Sequence, residues 1–129
     1  MKHLALAAVA FAACAHARTP DAYRADTAAL LAAHEPEIQA CYQRALDEFP
    51  DARGHVVVHF EVEPKTGHLM NAGVDTAKTT APDVVNQCVL HEIPQLYLSP
   101  GDRNRGSATW SWDFVARMQP ARVISSTTN

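Results

Sequence analysis

The sequence predicts an α+β domain: two helices packed on one face of a three-stranded antiparallel sheet, in the order α-β-β-α-β. Three observations carry this expectation. Ile38, Cys41, Tyr42, Ala45, Leu46 and Phe49 recur at i, i+3, i+4, i+7, i+8 and i+11, the apolar stripe of a helix. Residues 55–63 and 107–115 alternate apolar and polar, the signature of strands with one buried and one wet face. A second helical stripe with Val85, Cys88 and Val89 lies between the hairpin and the last strand. Covering the apolar face of one sheet with both stripes is the simplest way to bury them.

The chain of 129 residues opens with Met1-Lys2-His3, then an apolar run at 4–13, then small residues. That is the three-part shape of a secretory signal. The run of about ten residues is too short to span a bilayer, which takes roughly 20. Two processing sites compete. Phe11-Ala12-Ala13-Cys14 resembles a bacterial lipobox, with Phe11 where such boxes have leucine, and makes Cys14 the lipidated mature terminus. Ala15-His16-Ala17 satisfies the small-x-small rule and leaves Arg18 first. We read residues 1–17 as the signal or lipoprotein leader, 18–26 as a tether, 27–118 as the domain and 119–129 as a flexible tail.

Asp26 or Thr27 is the expected cap of the first helix, with Ala28 to Ala33 as strong helix formers. Pro36 either starts a new helix or kinks a continuous one. Pro50 ends the striped helix, and Gly54 turns the chain into the first strand. There Val56, Val58, Phe60 and Val62 point inward, and Val57, His59, Glu61 and Glu63 outward. Pro64-Lys65-Thr66-Gly67 is the turn, with Gly67 available for a positive φ. The second strand, 68–75, is less regular, and Gly73 marks a bulge. Thr79 or Thr80 precedes Pro82 at the start of the next helix, where Asp83 adds a favourable charge. Pro94 stops it. In the loop 95–106, Leu96, Tyr97 and Leu98 are expected to pack down. In the last strand Ala108, Trp110, Trp112 and Phe114 face the core.

Net charge is −3, with no lysine or arginine stripe, which argues against nucleic acid as a partner. Three cysteines is an odd count. With Cys14 lipidated or removed, Cys41 and Cys88 remain, and export makes a Cys41–Cys88 disulfide the expected state. Two free buried thiols are the alternative.

The segment from about residue 33 to 114 resembles the TonB carboxy-terminal domain family. The residues that carry this are Ile38-x-x-Cys41-Tyr42-x-x-Ala45-Leu46, Pro50, Gly54 opening the strand 56–62, Gly67, Val85-x-x-Cys88-Val89, Ser99-Pro100-Gly101 and Trp112-Asp113-Phe114. It is closest to the AgmX/PglI-type domain at the ends of myxobacterial gliding-motility proteins. The resemblance implies a TonB-like fold and binding of a partner peptide along a carboxy-terminal strand edge. Energy transduction is not implied, because the transmembrane helix and proline-rich linker of those transducers have no counterpart in these residues. Leu98-Ser99-Pro100 also replaces the family's aromatic-proline step before the last strand.

Signals for chemistry are sparse. No Gly-x-Ser-x-Gly elbow, phosphate-cradling glycine loop or forced carboxylate pair occurs, so no catalytic residue and no cofactor is assigned. Among seven histidines, His59 and His68 with Glu61 could gather a metal on the hairpin's outer face. Same-face neighbours sit roughly 7 Å apart, wide for ligands of one ion, and no metal site is assigned. The expected function is that of a non-enzymatic interaction module of the cell envelope, in the periplasm and lipid-anchored at the outer membrane. It receives a peptide or a partner strand along Thr109, Trp110, Ser111, Trp112 and Asp113 by β-augmentation. A homodimer through the same edge is the main rival. A metal- or ligand-binding protein using the histidine face, and a structural accessory lipoprotein, are the alternatives from other classes.

Overall fold

The structure, a computed structural model, describes residues 17–115. The leader through residue 16, with Cys14, and the chain from residue 116 onward lie outside the described residues. Within them run α1 (Pro20–Ala33), α2 (Glu35–Glu48), β1 (Gly54–Val62), β2 (Leu69–Val74), α3 (Asp83–Glu92), a 3-10 turn (Ile93–Gln95) and β3 (Gly106–Phe114). The fold is α+β, with an antiparallel sheet in the order β2-β1-β3. Among the described residues no helix is long and apolar enough to cross a membrane.

The first helix begins earlier than the sequence suggests. Residues 18–26, read as a tether, are helical from Pro20. Thr19 is the cap: its hydroxyl accepts the Ala22 N–H at 3.2 Å, Pro20 opens the helix and Asp21 supplies the first-turn charge. Thr27, an expected cap, is instead buried in mid-helix. At Pro36 the choice falls on a new helix. His34 leaves helical geometry, and Pro36 sits in the first turn of α2, where its missing N–H costs nothing. The helical stretch therefore forms two helices, and the described residues hold three α-helices. Phe49, expected on the α2 stripe, leaves helical geometry at the C-cap and is 46% exposed.

β1 is the central strand. Val56, Val58, Phe60 and Val62 are all buried on its inner face. Ile38 and Tyr42 from α2, Val85 and Val89 from α3, Leu31 from α1, and Trp112 and Phe114 from β3 join them in one core. Each such side chain contributes on the order of 1.5–3 kcal/mol by leaving water. The Tyr42 ring meets Phe114 at 4.9 Å between centroids. Its hydroxyl donates to the Ala52 carbonyl at 2.7 Å, so the buried phenol is satisfied.

Two expectations about the hairpin are corrected. The bulge lies opposite Phe60, where Asn71 and Ala72 together face one residue of β1, and not at Gly73, which pairs with His59. Asn71 carries the positive φ that this needs. Val57 is buried rather than wet, at the point where the chain beyond β2 closes on β1. There Thr79 accepts the Val57 N–H at 3.0 Å and Thr80 accepts the His55 N–H at 2.9 Å. Those hydroxyls extend the sheet instead of capping α3, whose cap position is Pro82.

The loop after α3 packs down through Leu96 and Leu98, both buried. Tyr97, expected to do the same, is 55% exposed and stacks on His68 at 4.8 Å. Alternation along an extended segment sends it away from its two neighbours.

Candidate functional site

The sheet has two outer edges, and they differ. On β2, the Leu69 N–H donates to the Leu96 carbonyl at 3.0 Å, and the Leu98 N–H donates to the Gly67 carbonyl at 2.8 Å. The loop thus caps the start of that edge, with His68 and Tyr97 bridged, and the bulge at Asn71 and Ala72 breaks the ladder beyond it. Gly67 makes this possible. Its φ is +73°, and a Cβ there would strike the Leu98 carbonyl oxygen.

β3 has no such cover. Its register on β1 is unbroken from Gly54↔Phe114 to Val62↔Gly106. The Asp75 N–H donates to the Val57 carbonyl and the Glu63 N–H to the His68 carbonyl, each at 2.8 Å. Odd-numbered residues of β1 therefore turn their backbone groups toward β2, and even-numbered ones toward β3. Their partners are Gly106, Ala108, Trp110, Trp112 and Phe114. By the same alternation, the N–H and C=O of Ser107, Thr109, Ser111 and Asp113 point off the sheet. Among the described residues no backbone hydrogen bond reaches β3 from that side. The open edge runs roughly 20 Å.

Side chains sort along the same strand. Ser107, Thr109, Ser111 and Asp113 are exposed, Trp112 and Phe114 are buried, and Trp110 is half-buried at the rim. Asp113 is the only charge in β3, and its carboxylate lies 2.7 Å from His55 Nδ1 on the neighbouring strand.

Cys41 and Cys88 form a disulfide between α2 and α3, with Cα atoms 5.5 Å apart. Cys88 is buried and Cys41 half-buried, as their positions on the apolar stripes require.

The histidine-bearing face does not gather into one site. His59 pairs with Gly73, Glu61 is held by Asn71 at 2.6 Å and Arg105 at 3.0 Å, and His68 is drawn to the Pro94 carbonyl at 2.7 Å. Among the described residues no three His, Cys, Asp or Glu side chains are placed to hold one metal ion.

A second feature lies between the amino end of α1 and the first half of β3. A cleft of about 500 Å³ is lined by residues of both elements. Arg18 lines it with a side chain 0% exposed, its Nε donating to Asp26 at 2.6 Å and its backbone N–H to the buried Asp102 carboxylate at 2.7 Å. Burial, and then the Asp102 charge, push the Tyr23 phenol up, while Arg18 pulls it the other way. Gly106 admits the Tyr23 hydroxyl, which a Cβ would strike. Sequence reading missed this cluster, since Arg18 and Tyr23 fell in the presumed tether. The Thr19-Pro20-Asp21 start signal could have found it.

No protein-family model, curated protein or solved structure matches this chain.

Proposed function

We propose that this protein is an exported, non-enzymatic interaction module of the cell envelope, held by lipid on Cys14, that receives an extended peptide or partner strand along β3. The observation that carries the reading is the difference between the edges. The loop through Leu96 and Leu98 bonds to the amino end of β2 and a bulge interrupts the rest, whereas Ser107, Thr109, Ser111 and Asp113 offer an unbroken outward ladder with no described partner. Such a ladder supplies main-chain hydrogen bonds to an added strand, and half-buried Trp110 at the rim gives it apolar surface to lie against. The resemblance to TonB carboxy-terminal domains points to the same strand.

Proline at Thr109 or Ser111 tests this. Each replacement removes an outward N–H and leaves the β1–β3 ladder intact, because both residues bond away from β1. We expect both variants to keep the fold by circular dichroism. Capture of the envelope partner should fall by about tenfold or more. A crosslinking map from envelope extracts should centre on residues 107–113. If the partner is a second copy, sedimentation will show a dimer that the proline variants abolish. Contacts confined to the helical face, with both variants binding normally, would defeat the reading.

A further inference from the structure

We infer that the cleft between α1 and β3 is a binding site for a small organic carboxylate with an apolar body, and that Arg18 is its anion receptor. The inference goes beyond strand pairing along β3 and does not depend on it. It starts from an imbalance in hydrogen bonding. The Arg18 side chain is fully buried, yet only Nε is used, on Asp26. Nη1 and Nη2 have no hydrogen-bond partner among the described residues. The Tyr23 hydroxyl and the Thr27 Oγ1 are buried without partners as well. Arg18, Tyr23 and Thr27 all line the same cleft. Buried polar groups in folded proteins are paired as a rule, so several orphaned donors around one cavity describe a missing acceptor.

The missing group is an anion, because a guanidinium has only donors to offer and matches a planar pair of oxygens. The amino end of α1, at Thr19 and Pro20, adds its partial positive charge on the same side. Charge balance favours a monoanion. Asp26 and the buried Asp102 already flank Arg18, and a dianionic phosphate would face both. Size and lining favour an apolar body. About 500 Å³ is within the range of small-molecule sites, and Pro20, Ala108 and Trp110 form apolar walls.

The test uses the mature protein, extracted from the cell envelope with its disulfide intact. Benzoate and the isosteric neutral benzamide are titrated separately at constant ionic strength and followed by amide and indole N–H shifts. Benzoate is expected to produce a saturable shift of the Trp110 indole and of the amides at residues 18–27, and benzamide to bind at least about tenfold more weakly. Arg18→Gln should remove the preference for benzoate. Thr27→Val, which keeps the side-chain shape, should weaken benzoate several-fold. The benzoate–benzamide comparison on the unaltered protein decides the matter should Arg18→Gln fail to fold. No saturable benzoate shift, or equal binding of the two probes, would overturn the assignment.

Discussion

Tyr42 shows how much rests on single residues. Its ring packs on Phe114 in the core, and its hydroxyl is tied to the Ala52 carbonyl. Tyr42→Phe keeps the ring and removes the donor, so we expect a loss of about 1–2 kcal/mol in urea unfolding. Burial pushes the phenol up, against a smaller opposing pull from Arg53. The folded chain then holds the phenolic proton more tightly than the unfolded chain does. Stability from this group is complete below about pH 10 and declines as pH rises beyond it. Unfolding midpoints measured across that window should fall less steeply in Tyr42→Phe; Tyr23, raised likewise, leaves a residual slope. Gly67 is a second such residue. Gly67→Ala combines a positive φ with a backbone collision at Leu98, and should cost at least about 2 kcal/mol while loosening the cap on β2. Faster hydrogen exchange at the Leu69 and Leu98 amides would register it.

Between elements, the disulfide is the strongest single tie. It joins α2 to α3 across a sequence separation of 47 and so closes a loop containing β1 and β2. The chain-entropy argument values such a loop at roughly 4 kcal/mol, a large part of a small domain's stability. Reduction, or Cys41→Ala with Cys88→Ala, should lower the melting midpoint by on the order of 20 °C. Mass spectrometry of the unreduced periplasmic protein should recover the two cysteine peptides joined. Free thiols at both positions would show that the helices are held by packing alone. The hairpin and β3 depend less on this tie, because the unbroken β1–β3 register and the inward valines act locally.

For the whole molecule, the proposed anchor and the proposed edge make one arrangement. A lipid on Cys14 lies only a few residues before α1, so the domain would sit close to the membrane surface. Ala15 rather than aspartate follows the cysteine, which by lipoprotein habit suits the outer membrane. Cys14→Ala should move the protein from the membrane fraction to the soluble periplasm, read by fractionation and by the mass of the mature terminus. A wild-type protein already soluble and beginning at Arg18 would replace the lipid reading with simple export.

Local chemistry sufficed for much of this architecture. The period of Ile38, Tyr42 and Ala45, the alternation of residues 55–63 and 107–115, and the Pro64-to-Gly67 turn each express a rule that acts within a few residues, and each was legible in the sequence. The cysteine pairing was expected from the secretory leader and the odd cysteine count, and the structure joins Cys41 to Cys88. Contacts between distant segments decided the rest. Nothing within residues 96–98 says that they bond to the amino end of β2, yet that contact helps to set this edge apart from the unbroken one on β3. Thr79 and Thr80 look like helix caps until β1 lies beside them with N–H groups to satisfy. Arg18 reads as a tether residue until α1 folds back beside β3 and buries its guanidinium. A backbone donor or a buried charge takes whichever partner the fold brings near, and the partner's identity belongs to the tertiary structure.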